Sequence, residues 1–238
     1  MRKIQQERFV IDWLNRITDD SISSPDQRKA VIPYTIATWI KRLFDILVSL
    51  LVLIICSPIL ALIALAIKIT SPGPVFYYQS RIGKNGERFR MYKFRTMRVN
   101  AGKELEAILK QDPILYAEWA QYQKLRDDPR ITPFGKLLRR FSLDELPQLW
   151  NVIIGDMSIV GPRPYMPDQR DYYREIEDLY TAFRPGITGL WQVSGRNNTS
   201  YEDRVHFDEV YCKNWSLWLD FCIIVRTFSV VVIGEGAF

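Results

Sequence analysis

Apolar and polar positions divide the chain unevenly. From Phe44 to Ile67 the sequence is almost wholly apolar, broken by Asp45, Ser49, Ser57 and Pro58. A helix of about 22 such residues reaches roughly 33 Å, enough to span a hydrocarbon core, so a crossing helix is the default expectation. Two features oppose it. Pro58 sits near the middle, where it removes a helical hydrogen bond and crowds the preceding turn, while Ser57 beside it can serve a freed carbonyl. Both flanks are also basic, with Lys41 and Arg42 before and Lys68, Arg81, Lys84, Arg88, Arg90, Lys93, Arg95 and Arg98 after, opposed by Glu87. Basic flanks favour the cytoplasmic face, and one straight crossing cannot put both there. A helix that dips in, turns at Ser57-Pro58 and returns satisfies both features; a kinked single span is the rival.

The other patterns are shorter. Ile4, Val10, Ile11, Leu14 and Ile17 form a loose helical stripe, followed by the loop-like Ser21 to Asp26 and by Pro33, so residues 1–40 read as an amphipathic extension and linker. Alternation from Val75 to Ile82, a tight turn at Lys84-Asn85-Gly86 and a return from Arg88 to Met97 predict a β-hairpin, its cations suited to anionic headgroups or phosphates. Residues 101–126 predict a helical pair broken at Asp112-Pro113, with a loop marked by Pro129 and Pro133 beyond it. Leu146 to Ile154 reads as a buried helix, Gly155 to Ser158 as a turn and Tyr172 to Phe183 as a further helix. Trp215 to Ile233 reads as an interfacial or packed helix, because Asp220 and Arg226 are costly within lipid. The expected fold is α+β and mostly helical: an extension (1–40), a re-entrant membrane helix (41–69) and a membrane-associated domain (70–238) with a small hairpin and amphipathic interfacial helices.

Candidate chemistry centres on Ser142-Leu143-Asp144-Glu145-Leu146-Pro147. A serine three residues before a glutamate reads as a capping box, which would put Asp144 in a first helical turn where unpaired amides favour the carboxylate. Most capping boxes are purely structural, and the surroundings raise the interest of this one. Arg139 and Arg140 stand just upstream. In Gly161-Pro162-Arg163-Pro164, prolines stiffen the backbone around one arginine, whose planar donors suit phosphate oxygens. Gly195-Arg196-Asn197 is another small-residue loop bearing an arginine. The net charge of +5 suits a membrane surface or phosphates. Three cysteines without CxxC pairing and a single histidine, His206, argue against a zinc site or a disulfide framework.

Taken in order, Lys41-Arg42-Leu43-Phe44-Asp45, Lys93-Phe94-Arg95-Thr96-Met97, Ser142 to Pro147, Gly155-Asp156-Met157-Ser158, Gly161 to Pro164, Arg184-Pro185-Gly186-Ile187-Thr188-Gly189 and Ser194-Gly195-Arg196-Asn197 resemble the motifs of bacterial sugar transferases. These are monotopic phosphoglycosyl transferases that start glycan assembly on polyprenyl phosphate. Asn214 to Asp220 makes the C-terminus most similar to the undecaprenyl-phosphate galactose or glucose phosphotransferases. Larger members carry a bundle of membrane helices where this chain has residues 1–40, so the likeness is to their catalytic module. The resemblance implies a re-entrant helix turned at Ser57-Pro58 and a site at the cytoplasmic face of the bacterial inner membrane. It implies Asp144 as nucleophile toward a UDP-sugar, with UMP released and polyprenyl phosphate as acceptor, and Glu145 as the ligand of Mg²⁺. Lys93, Arg139, Arg163, Arg196 and Asp220 are its implied substrate-binding residues. Its implied partners are the two substrates and membrane lipid, with no nucleic acid; a homo-oligomer and downstream glycosyltransferases are compatible with it. Transfer of an N-acetylated sugar and a non-catalytic scaffold of the polysaccharide machinery are the competing readings. Glu145 cannot readily close a capping box and also hold a metal, so Ser142 is expected to cap alone.

Overall fold

The computed structural model describes residues 34–122, 125, 127–194 and 200–233. The stripe expected within residues 1–33 and the loop around Arg196 lie outside them. Helix α1 (Tyr34–Thr70) begins ahead of the expected boundary at Lys41 and continues through Pro58 without interruption. Pro58 has no N–H for the carbonyl of Ile54, and the Ser57 hydroxyl donates to that same oxygen at 2.8 Å. One face of α1 exposes Leu50, Leu51, Ile54, Ile55 and Ile59, whereas Asp45, Ser49, Ile63 and Ile67 are buried.

Both ends of that buried face rest on one domain. Near the start, Asp45 accepts from the Ser158 hydroxyl at 2.7 Å and the Ile159 amide at 3.1 Å. Near the end, Ile63 and Ile67 pack with Phe94 and Leu138. Strands β1 (Phe76–Ile82) and β2 (Arg88–Phe94) form the expected hairpin, paired antiparallel from Phe76↔Phe94 to Ile82↔Arg88. Its turn places Asn85 at φ 59° and Gly86 at φ 75°, two left-handed positions that an Asn-Gly pair tolerates and that match the strand twist.

Helices α2 (Ala101–Gln111) and α3 (Pro113–Tyr122) are the expected pair, and Asp112 accepts from the Ile114 and Leu115 amides at their junction. The loop expected at Pro133 is instead the start of α4 (Pro133–Arg140), capped by Thr132 with proline at the first helical position. Helix α5 (Gln148–Ile154) is amphipathic rather than buried: Leu149 and Val152 face inward, while Trp150 and Ile154 are about half exposed. It stops at Gly155, whose φ of 103° needs a residue without Cβ, and Arg42 of α1 donates to its last carbonyls, Val152 at 2.7 Å and Ile153 at 3.0 Å.

A second sheet was not expected. Strands β3 (Ser158–Val160) and β4 (Gly186–Thr188) pair in parallel, and two further backbone bonds tie the segment after β3 to β4, Gly161 N to Thr188 O at 3.0 Å and Gly186 N to Pro162 O at 2.9 Å. Where one helix was expected, a 3₁₀ segment (Pro167–Ile176) leads into the short α6 (Glu177–Thr181). Beyond α7 (Leu190–Val193), helix α8 (Tyr201–Lys213) also escaped the sequence pattern, because its buried face carries Arg204 and Asp208 among Phe207, Tyr211 and Cys212. Helix α9 (Leu217–Ile233) packs through Leu219 and Ile223 and turns Trp218, Phe221, Val225 and Phe228 outward. The main core joins Val160, Leu190, Phe207, Tyr211, Leu219 and Ile223.

Candidate active site

Asp144 and Glu145 stand in a single 3₁₀ turn, Leu143–Glu145, between α4 and α5. The capping box does not form. Ser142 is itself left-handed at φ 55° and makes no side-chain cap, so it does not cap alone either. With α5 beginning only after Pro147, Asp144 is not in a regular first turn, and burial governs it instead. The carboxyl is 7% exposed. Desolvation pushes its pKa above the ordinary carboxylate range; Lys93 and Arg139 pull it back, and Glu145 adds to the rise. Instead of the amides of a first helical turn favouring the carboxylate, burial raises its pKa and the cations Lys93 and Arg139 oppose that rise.

Three separate elements supply those neighbours and the partners of Glu145. From β2, Lys93 Nζ reaches Glu145 Oε1 at 2.6 Å. From the loop after β3, Arg163 Nη2 lies 3.6 Å from the same oxygen. From α4, Arg139 faces Asp144 and Glu145 while its Nε donates to the Thr96 hydroxyl at 2.9 Å. Asp144, Glu145, Lys93, Arg139 and Arg163 are thus brought into one neighbourhood. Arg196 lies outside the described residues.

Asp220 has a different place. One of its oxygens accepts from Lys41 at 2.7 Å and Trp215 at 3.2 Å, and the other from Tyr211 at 2.7 Å. It fastens the start of α1 to α9, with its carboxylate fully engaged. Arg226 of the same helix donates to the Val193 carbonyl at 3.0 Å.

Two supports of the site were missed. Thr96, which holds Arg139, gave no sign beyond its position in the Lys93 to Met97 segment. Asn151 offered a clearer one, as an amide flanked by Leu149, Trp150, Val152 and Ile153 in a mostly apolar helix. It is fully buried, accepts from Tyr92 N at 3.0 Å and donates to Arg90 O at 2.7 Å, pinning β2 to α5 beside Lys93.

Among the described residues no group of three or more His, Cys, Asp or Glu side chains could enclose a metal ion. Two adjacent carboxylates do suit Mg²⁺, which commonly takes one or two carboxylates and completes its shell with water and substrate phosphate. The donor set fits that mode of binding and no closed cage.

The family model described as "Bacterial sugar transferase" matches residues 36–234. The chain is 49% identical over 201 residues to the undecaprenyl-phosphate galactose phosphotransferase of Salmonella typhimurium, covering 84% of this chain and 42% of that protein. It is 47% identical over 198 residues to the exopolysaccharide production protein ExoY of Sinorhizobium fredii, covering 83% and 88%. With the UDP-glucose:undecaprenyl-phosphate glucose-1-phosphate transferase of Escherichia coli it shares 39% identity over 207 residues, covering 84% and 41%. The chain thus spans about two fifths of the Salmonella and Escherichia relatives and most of ExoY.

Proposed function

The chain belongs to the bacterial sugar transferase family, and from that premise we propose that it transfers a sugar 1-phosphate from a UDP-sugar to undecaprenyl phosphate, as the first membrane step of exopolysaccharide, capsule or O-antigen assembly. The names of the Salmonella and Escherichia relatives favour galactose or glucose as the sugar. The observation that carries the mechanism is a buried carboxyl, Asp144, in the electrostatic reach of Lys93 and Arg139 and next in sequence to a glutamate paired with Lys93 and near Arg163.

In this reading an Asp144 oxygen attacks the phosphorus that bears the sugar. The bond from that phosphorus to the bridging oxygen breaks, and UMP leaves with the electron pair. An oxygen of polyprenyl phosphate then attacks the same phosphorus, and Asp144 leaves as carboxylate. Covalent catalysis of this kind divides one difficult transfer into two easier ones. Lys93 and Arg139 keep Asp144 ionised against its burial, and Arg163 offers planar donors to the phosphate oxygens. Glu145 would hold Mg²⁺, whose charge offsets the repulsion between carboxylates and diphosphate.

The outward face of α1 and the exposed Trp150, Ile154, Trp218, Phe221 and Phe228 give the domain an apolar surface suited to a bilayer, where the lipid substrate resides. Because both ends of α1 rest on the same domain, a re-entrant path of α1 through one leaflet fits better than a crossing. The first step is tested without acceptor: the purified chain should release UMP from UDP-galactose or UDP-glucose in an amount near one equivalent of enzyme. Asp144→Asn should abolish that release and all turnover. A variant with full turnover would sink the nucleophile assignment.

A further inference from the structure

We infer that Asp208 of α8, a residue remote in sequence from every motif of the site, is the positioning residue that aims Arg163 at Glu145. The inference rests on the transferase reading of that site. It starts from how the backbone of residues 161–165 is held. Gly161 N and Pro162 O bond to β4. The Arg163 amide donates to Asp208 Oδ1 at 2.9 Å. The Arg163 carbonyl accepts from the Tyr180 hydroxyl at 3.0 Å and from Arg204 at 3.3 Å. The Pro164 carbonyl accepts from Arg204 at 3.2 Å and Arg81 at 3.1 Å, and the Tyr165 carbonyl from Ile82 N at 3.0 Å.

Among these contacts, Asp208 is the one side chain that accepts from the Arg163 N–H, the only N–H between two prolines that have none of their own. Its second oxygen accepts from the Tyr173 hydroxyl at 2.8 Å, so the carboxylate is fixed at both ends and is 1% exposed. The guanidinium of Arg163 then leaves this fixed point across the face of Trp191, 5.2 Å from its centroid, and reaches Glu145. Arg204, also over Trp191 at 5.5 Å, gives the buried carboxylate a neighbouring cation. The arrangement prepays the entropy of placing a long side chain, which matters because small misplacements of positioning groups cost large factors in rate. Asp208 touches no reacting atom on this account and acts through Arg163.

The test is a double-mutant cycle on the full chain in lipid nanodiscs, with UDP-galactose and UDP-glucose as donors and undecaprenyl phosphate as acceptor. Asp208→Ala should lower kcat about 10- to 100-fold, and in an Arg163→Ala background it should cost almost nothing more. Asp208→Asn keeps an oxygen for the Arg163 amide and should retain activity within about threefold. Full multiplication of the two losses, or an unimpaired Asp208→Ala, overturns the inference. Should Asp208→Ala fail to fold, Tyr173→Phe frees one end of the carboxylate and should show a smaller loss that also vanishes without Arg163. Amide exchange over residues 160–166 is read in parallel and is independent of turnover. It should accelerate in Asp208→Ala or Tyr173→Phe while α5 stays protected, and unchanged exchange there overturns the inference. If the wild-type chain turns over neither these donors nor a UDP-N-acetylhexosamine, the transferase reading falls by itself, and the exchange arm still decides whether Asp208 holds Arg163.

Discussion

At the scale of single residues, the site is built from costs that neighbouring groups offset. Ser142 adopts φ 55°, a conformation that costs an ordinary residue about 1–2 kcal/mol, one position before the turn that carries both acids. Ser142→Gly relieves the steric cost but adds chain entropy, so thermal unfolding should stay within about 0.5 kcal/mol of wild type, whereas Ser142→Val should lose about 1–2 kcal/mol. Asp208 shows the same economy in charge. Burial pushes its pKa up to about 6, while Arg204, the Arg163 amide, the Tyr173 hydroxyl and the Arg163 guanidinium pull it down; Tyr180 and Tyr201 line the same chamber. A carboxyl with a raised native pKa binds protons more tightly when folded, so this group's contribution to stability falls as pH rises from about 4 to about 6 and is flat above. Asp208→Asn lacks that slope. Its melting temperature relative to wild type should therefore climb through this window and then level off, and a difference independent of pH would contradict the raised pKa. The residues that converge were largely legible, because Asp144, Glu145 and Arg163 sit in short unusual strings. Asp208 was not, since one of four acids in a charged helix looks solvated until Arg163 is seen beside it.

Elements were legible where a local rule sets them and obscure where a distant partner does. The Asn85-Gly86 turn, the break at Asp112-Pro113 and the apolar run of α1 all follow from nearest neighbours. Strands β3 and β4 have three residues each and lie far apart in sequence, so no alternation could reveal their pairing. Helix α8 hid for the opposite reason, its inward face being partly charged. Helix α1 carries the same lesson in its buried polar contacts, which are what tie it to the domain. Asp45→Ala removes the acceptor of both Ser158 and Ile159 and leaves Lys41 with one fewer carboxylate nearby. Lys41 keeps Asp220 and the Ser158 hydroxyl keeps the Val160 carbonyl, so the change should cost about 1–3 kcal/mol in thermal unfolding, as a buried amide left without its acceptor does. At the other end of the range, Thr132→Ala deprives Gly135 N of its cap and should cost about 1 kcal/mol, with Arg139 on the same helix loosened in turn.

For the whole molecule the decisive fact is that one apolar helix meets the same domain at both of its ends. Lys41 reaches Asp220, Arg42 closes α5 and Asp45 holds β3, while Ile63 and Ile67 pack beneath the hairpin and α4. A domain on one side of a bilayer cannot keep all of these contacts if the helix between them crosses to the other side. We propose on this ground that the exposed middle of α1 enters the membrane while both ends stay on the domain's side. Single cysteines at Trp39 and Ile69, both outward positions near the two ends, report this directly once Cys56, Cys212 and Cys222 are replaced by serine or alanine. In sealed vesicles a membrane-impermeant maleimide should modify both positions from the face that bears the domain and neither from the opposite face. Modification of the two positions from opposite faces would establish a crossing helix, and the contacts at one end of α1 would then have to break in the membrane. Phe94 of β2 and Leu138 of α4 pack against the Ile63–Ile67 end of that helix, so under the proposed function the same geometry would bring Lys93, Arg139 and Arg163 to the boundary where a soluble nucleotide sugar and a lipid phosphate meet.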